Sequence, residues 1–388
     1  MKQPATDAAD GADLLERCAG PAAAALLERL RPLQADARRD LQSAFDALWR
    51  PDDGDARAAQ ERALVALRSA ALLEDDALLA LCRERALGTG LTASQLARVS
   101  PASESDTTAS LDARLTSLMM LADRVALQPA SGTQRHLDGL LRLRLAPAEV
   151  VGLAQATALM AAIARLLSGL RALAAAGDAR IAAPADGLVG AHHPHATGPV
   201  LRGRFTLDAL AWKPWVPAVD PARATAAQLQ VLDRLSPAAR RSAFELTLLH
   251  NAALRAPHAR LVETVVRGRG GLPWSERALV AAVVSRLDGC TYGASALGRI
   301  FSRLTRDPEV IGRLFAQGVN VPLAPRRRLL ADLAVDLAAP LPRVAPGRIE
   351  ALRGAGFGER EIVDAIQAAA MAAGDDRLAL TLGEPVAA

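Results

Sequence analysis

The sequence predicts an all-α protein built of two tandem helical units, on three observations. Half of the chain is apolar, with alanine and leucine dominant and aromatics only 3%; such residues form helices more readily than strands. Segments of the chain recur at a nearly constant offset of about 212 to 215 residues, in the same order, as expected of a duplicated unit. A length of 388 residues is also long for a single core and natural for two domains.

Residues 1–22 read as a polar, acidic N-terminal tail, since MKQPATDAADGADLLERC has no apolar core of the kind a secretory signal needs. A first helical domain is expected over 23–176. It contains ERALVA at Glu61–Ala66, followed by more apolar helix. In LDARLTSLMMLADRVAL, Leu111–Leu127, apolar residues recur at i, i+3, i+4 and i+7, which gives a helix with one face against a core. Leu141–Leu167 reads as a short helix, a turn, an acidic helix start at Glu149 and a long alanine-rich helix carrying Arg165. The longest apolar region, Val150–Gly177, is interrupted by Gln155, Arg165 and Arg171, which are costly in lipid, so a buried helix is expected and not a membrane span.

Residues 177–222 are expected to be a linker, because proline and glycine punctuate GAHHPHATGPVLRGRF and LAWKPWVPAVDP too often for helix. His192, His193 and His195 lie there without acidic or cysteine partners nearby, so they read as an exposed connector and no metal site is predicted. Trp212 and Trp215 read as an anchor that pins the linker to a domain surface. A second helical domain is expected over 223–388. ERALVA returns at Glu276–Ala281, RRRLLADLAVDLA at Arg326–Ala338 takes the place of the Leu111 helix, and Arg353–Leu380 repeats the turn, an acidic start at Glu361 and a long helix with Arg377.

The formal net charge is only +4, and the arginines are interspersed with Asp and Glu, so no nucleic-acid partner is expected. The tightest basic run, Arg326–Arg328, follows Pro325 and reads as a solvated helix start. Three cysteines, Cys18, Cys82 and Cys290, lie far apart with neither a C-x-x-C pair nor metal-ligand spacing, which fits free thiols in the cytoplasm. No cofactor is implied.

The stretch Glu276–Phe301 carries the chemical signal. Cys290 stands where a helix begins, Gly293 where a dithiol would place its second sulfur, and Leu297 where an imidazole one turn on could reach a thiol. Through Thr206–Pro221, Pro273–Phe301 and Glu361–Arg377 the chain resembles the carboxymuconolactone decarboxylase and alkyl hydroperoxidase D-like superfamily. It is most similar to the two-domain alkylhydroperoxidase members. The resemblance implies two tandem alkyl hydroperoxidase D-like helical domains, the first a degenerate carboxymuconolactone-decarboxylase-like one.

Active relatives carry a glutamate on one helix, C-x-x-C at the start of the next, and a histidine four residues after the second cysteine. A thiolate at a helix N-terminus attacks the peroxide, and the second thiol closes a disulfide. Carried over by the resemblance, the first cysteine, of the resolving type, is Cys290, the second, which in such relatives attacks the peroxide, falls on Gly293, the histidine on Leu297 and the glutamate on Ala278. Glu276 is two residues from Ala278, about 200° around a helix, and cannot replace it. Aligned through ERALVA, the first half has Asp75, Leu78 and Cys82 at the positions of Cys290, Gly293 and Leu297, with Cys82 read as a small core residue.

Three functions follow as expectations. One is a non-catalytic or weakly active, oligomer-forming scaffold that binds a small ligand or a protein. Another is a thiol-dependent peroxidase acting on a hydroperoxide through Cys290 alone with an external reductant; no histidine lies near Cys290 in sequence, and His250 or His258 could approach it only through the fold or an oligomer. The third is lyase chemistry with Glu276 and Asp288 as the acidic candidates. A homo-oligomer is expected, with a pseudo-dimeric monomer as its competitor.

Overall fold

The structure is a computed structural model that describes residues 13–50, 55–99, 112–176 and 204–387. In chain order the elements are α1 (Leu14–Cys18), α2 (Ala24–Ala47), α3 (Ala56–Leu72), α4 (Asp76–Gly88), α5 (Ala93–Ala97), α6 (Ala113–Leu127), α7 (Gln134–Arg142) and α8 (Pro147–Ala175). There follow β1 (Leu210–Pro214), α9 (Ala226–Arg234), α10 (Ala243–Leu248), α11 (Ala252–Arg267), α12 (Trp274–Asp288), α13 (Thr291–Thr305), α14 (Pro308–Gln317), α15 (Pro325–Ala338), α16 (Pro346–Gly354), α17 (Glu359–Leu382) and β2 (Gly383–Ala387). The all-α expectation therefore holds, with one small ribbon added. Helix starts use the residues that suit them: Asp55, Asp75 and Asp112 accept backbone N–H bonds from the first turns of α3, α4 and α6, and proline opens α8, α14, α15 and α16.

The duplicated sequence packs in a duplicated way. α3 lies against α4, α6 and α8, and α12 lies against α13, α15 and α17. The correspondence reaches single side chains. Glu61 pairs with Arg114 at 2.6 Å and Glu276 with Arg327 at 3.3 Å. Arg62 donates to the Arg50 carbonyl beyond α2, and Arg277 to the Val265 carbonyl of α11. The acidic starts also match, with Glu149 accepting from the Ala146 N–H and Glu361 from the Gly358 N–H.

α8 and α17 pack on each other at the centre, and one buried apolar cluster runs through both halves. A Cβ added to Gly374 would lie 3.5 Å from the Ala162 Cβ, its own counterpart in the repeat. Small residues here let the two backbones approach. Beyond them, Arg165 on α8 donates to the Ala339 carbonyl at the end of α15, and Arg377 on α17 to the Ala126 carbonyl near the end of α6, at 3.0 and 3.1 Å. Each half thus reaches into the other through the same residue. α8 is long and apolar enough to cross a membrane, but its apolar stretch is wholly buried inside the protein.

Sequence reading missed the β1–β2 ribbon, an antiparallel pair with Trp212 opposite Pro385. Trp212 and Trp215 are buried, the Trp212 Nε1–H donates to the Ala379 carbonyl at 3.1 Å, and the Trp215 N–H to the Leu382 carbonyl at 2.8 Å. The anchor role read for them holds, and the surface they anchor to is the end of α17. Leu14, Leu15 and Cys18, within the polar segment 1–22, are buried in the core. Within the Arg326–Arg328 run, Arg328 is not solvated: it is buried, pairs with Asp332 at 2.9 Å and donates to the Val319 carbonyl. His192, His193 and His195 lie outside the described residues.

The α8–α17 contact yields a contrast between two glycines. A Cβ at Gly169 would meet Ile366 Cγ2 at 2.5 Å, whereas Gly374 has room at 3.4 Å or more. Ile366 is β-branched and stiff. Gly169→Ala is expected to destabilise the chain by about 1–3 kcal/mol through overpacking, and Gly374→Ala to stay within about 1 kcal/mol of the parent because the helix-propensity gain offsets the tighter contact. Urea denaturation of the two variants measures the difference.

Candidate functional site

α12 ends at Gly289, whose φ of 76° reverses the chain in the left-handed region that glycine tolerates. Cys290 then caps α13: its Sγ accepts the Gly293 N–H at 3.3 Å, and its own N–H donates to the Ser285 carbonyl at 2.9 Å. In the first half Asp75 caps α4 in the same way, accepting the Leu78 N–H at 3.0 Å. The two capping positions are therefore equivalent in space as well as in sequence. Asp75 is engaged with Arg171 at 2.7 Å. Cys82 is buried beside Met160, with its thiol 3.6 Å from the Met160 sulfur, and is the core residue it was read to be.

Gly293 is the informative position. A Cβ built there would run into Asp376 Oδ1 and would lie 3.0 Å from Ser285 Oγ and 3.3 Å from Cys290 Sγ. The Asp376 carboxyl, delivered by α17, thus fills the space in which a second sulfur would stand. Ser285 Oγ donates to Asp376 Oδ1 at 3.0 Å, Asp376 also hydrogen bonds Cys290, and Asp376 Oδ2 has no partner among the described residues.

Electrostatics favour the neutral thiol. Cys290 is 1% exposed. Burial pushes the thiol well above its usual range, and the Asp376 and Asp288 carboxyls push it further; the Gly293 N–H opposes them and is outweighed. Asp376 is itself raised well above the carboxylate range, by burial first and by Asp288 second. A helix N-terminus that would favour a thiolate is here surrounded by groups that disfavour one.

Asp288, two residues before Cys290, accepts from Arg377 Nη1 at 3.2 Å. Burial raises the Asp288 carboxyl, with Arg377 and Arg165 opposing. Both residues of this pair line a cavity of about 430 Å³, walled by Leu127 and Pro129 from the first half and Leu287, Val335 and Ala339 from the second. That volume falls in the range of small-molecule sites, as does the largely apolar wall with a few polar groups.

The remaining sequence candidates are placed elsewhere. Ala278 is buried, and Leu297 is half-buried against the core. Glu276 is taken up by Arg327 and sits at the opposite end of α12 from Asp288, about 18 Å away at the helical rise, so the two do not form an acid–base pair. His250 Nε2 bonds the Pro217 carbonyl at 2.6 Å, and His258 contacts Asp375 at 3.1 Å and Arg255. Among the described residues no hydrogen bond joins either ring to Cys290. Sequence reading missed Ser285 and Asp376; the available sign was an acidic pair, Asp375 and Asp376, directly after the apolar run AAAMAAG of α17. No family model matches this chain, and no curated protein sequence matches it.

Asp376 sets a pH dependence. A carboxyl whose folded pKa is raised keeps its proton in the native state while the unfolded chain loses it above about pH 4, so stability falls as pH rises from there until the folded group titrates, by up to about 1.4 kcal/mol per pH unit. Asp376→Asn keeps an acceptor for Ser285 and removes the titration, so relative to the parent it is expected to gain stability steadily from pH 4 upward. Urea titrations at several pH values measure this. Gly293→Cys is expected to destabilise the chain by about 1–3 kcal/mol through overpacking against Asp376, without forming a disulfide with Cys290; thiol counting after mild oxidation reads that outcome.

Proposed function

We propose that this protein is a cytoplasmic, non-catalytic member of the alkyl hydroperoxidase D-like superfamily, two tandem helical domains joined by a linker, retained as a scaffold that binds a small molecule. The observation that carries the reading is the Asp376 carboxyl in the space of the second sulfur at Gly293. A site that had merely lost a cysteine would leave a gap or a small apolar residue. Here a carboxyl and a serine hydroxyl have been built into the position, beside a buried thiol held neutral.

The competing reading, a one-cysteine peroxidase acting through Cys290, requires a thiolate, a proton acceptor and a path for peroxide. The carboxyls that act on the thiol, Asp376 and Asp288, both disfavour its ionisation, and the two histidines that would serve as acceptor are committed to other partners. The 430 Å³ cavity is the natural place for a bound small molecule. Because α8 and α17 supply within one chain a contact of the kind two subunits would share, the pseudo-dimeric monomer is the oligomeric state that this reading favours over a homo-oligomer.

Peroxide consumption with hydrogen peroxide and an organic hydroperoxide, each with a dithiol reductant, is expected to show no turnover above that of Cys290→Ser. Native protein is expected to resist a thiol-labelling reagent at pH 8 and to react fully once unfolded. Turnover that Cys290→Ser abolishes would overturn the scaffold reading in favour of one-cysteine chemistry.

A further inference from the structure

Among the described residues, the Arg165–Arg377 region brings two buried guanidinium groups together with one ion-paired carboxylate, Asp288. Both side chains are almost wholly buried, at 0% and 1% exposure. Among the described residues Arg165 donates to the Ala161 and Ala339 carbonyls and forms no ion pair, with Asp288 acting on it only through its field. Arg377 has Asp288. Asp376, next in sequence, is turned toward Ser285 and Cys290, and burial raises it well above the usual carboxylate range. Burial and the facing Arg377 push Arg165 down to about 9, which still leaves it charged at neutral pH. Two cations in a low-dielectric interior thus share one anion, whereas buried charges are ordinarily paired.

The two cations coincide with an unpaired, buried donor edge. A guanidinium has five N–H donors. Arg377 uses three of them, on Asp288 Oδ2, the Ala373 carbonyl and the Ala126 carbonyl. Among the described residues its Nε–H has no partner, and one Nη2–H remains. Nε and Nη2 form the side of a guanidinium that receives a carboxylate with two parallel bonds. Arg377 lines the 430 Å³ cavity, whose other walls are mostly apolar, and the Ala339 carbonyl that Arg165 holds belongs to the same wall.

We propose that this cavity binds a small monocarboxylate with a compact apolar body, its carboxylate on the free edge of Arg377 and its hydrocarbon against Leu287, Val335 and Leu127. The proposal rests on the scaffold reading and names the ligand class of that scaffold. The carboxylate supplies the missing negative charge, and the apolar walls discriminate against small hydrophilic anions. Such a ligand also touches both halves of the chain, since Leu127 comes from the first and Leu287 from the second, so its binding stabilises their contact.

Isothermal titration calorimetry of the full chain with octanoate, benzoate and octan-1-ol tests this. At least one of the two carboxylates is expected to bind one per chain, and octan-1-ol to bind about tenfold more weakly or worse, because it lacks the charge-assisted pair. Ala339→Phe, which fills the cavity from its wall while keeping the backbone carbonyl that Arg165 holds, is expected to abolish binding while leaving the circular dichroism spectrum unchanged. Arg377→Gln is expected to remove the preference for carboxylate over alcohol; should that variant fail to fold, Ala339→Phe and the octanoate-to-octanol ratio decide. Equal affinity for octanoate and octan-1-ol, binding that survives Ala339→Phe, or no binding of either carboxylate would overturn the assignment. Peroxide turnover in the same preparations is read separately: failure of carboxylate binding without turnover removes only the ligand class, and turnover lost in Cys290→Ser removes the scaffold reading.

Discussion

Two arginines at corresponding places in the duplicated sequence cross between the halves, and the rest of the architecture depends on that exchange. Arg165 from α8 satisfies the Ala339 carbonyl of the second half, and Arg377 from α17 satisfies the Ala126 carbonyl of the first. Carbonyls at helix C-termini lack intrahelical partners, so each guanidinium meets a demand that the other half creates. Hydrogen bonds to charged groups are worth about 1.5–3 kcal/mol each, and removing one arginine would also leave buried acceptors open. The geometry is possible because the helices that carry the arginines meet through Ala162 and Gly374, where no large side chain separates the backbones. The alanine-rich composition of α8 and α17 is then a packing requirement of the shared interface.

Fixing the register of α17 also fixes the chemistry on both of its flanks. Asp376 and Arg377 are adjacent, so one points its carboxyl at Cys290 while the other pairs with Asp288 at the cavity. The halves differ here. At the places corresponding to Asp376 and Asp288 the first half has Ala164 and Leu73, and its helix cap is Asp75 in place of a cysteine. Duplication accounts for the scaffold, and divergence at a handful of positions accounts for the site.

Much of this scaffold was legible in the sequence because it is local and periodic. ERALVA, the acidic starts at Glu149 and Glu361 and the paired arginines mark elements that recur in space, and Cys290 begins a helix as its position in the motif suggested. What escaped is set by contacts distant in sequence. Nothing near Gly293 announces that a carboxyl from α17 will occupy its side-chain space, and nothing near Trp212 announces that its partner strand is the last segment of the chain. The burial of Arg328 escaped for a related reason: a basic run at a helix start looks solvated until Asp332 and the Val319 carbonyl are placed against it. Periodicity reports which face is buried, and it is silent on which polar group of another helix will meet that face.

The reciprocal arginine bonds and the continuous core imply that the halves unfold together although the sequence is a tandem repeat. Differential scanning calorimetry of the full chain addresses this directly. A single transition is expected, with calorimetric and van't Hoff enthalpies in agreement. Two resolved transitions, each with about half of the total enthalpy, would contradict it and show that the two halves are independent domains merely in contact.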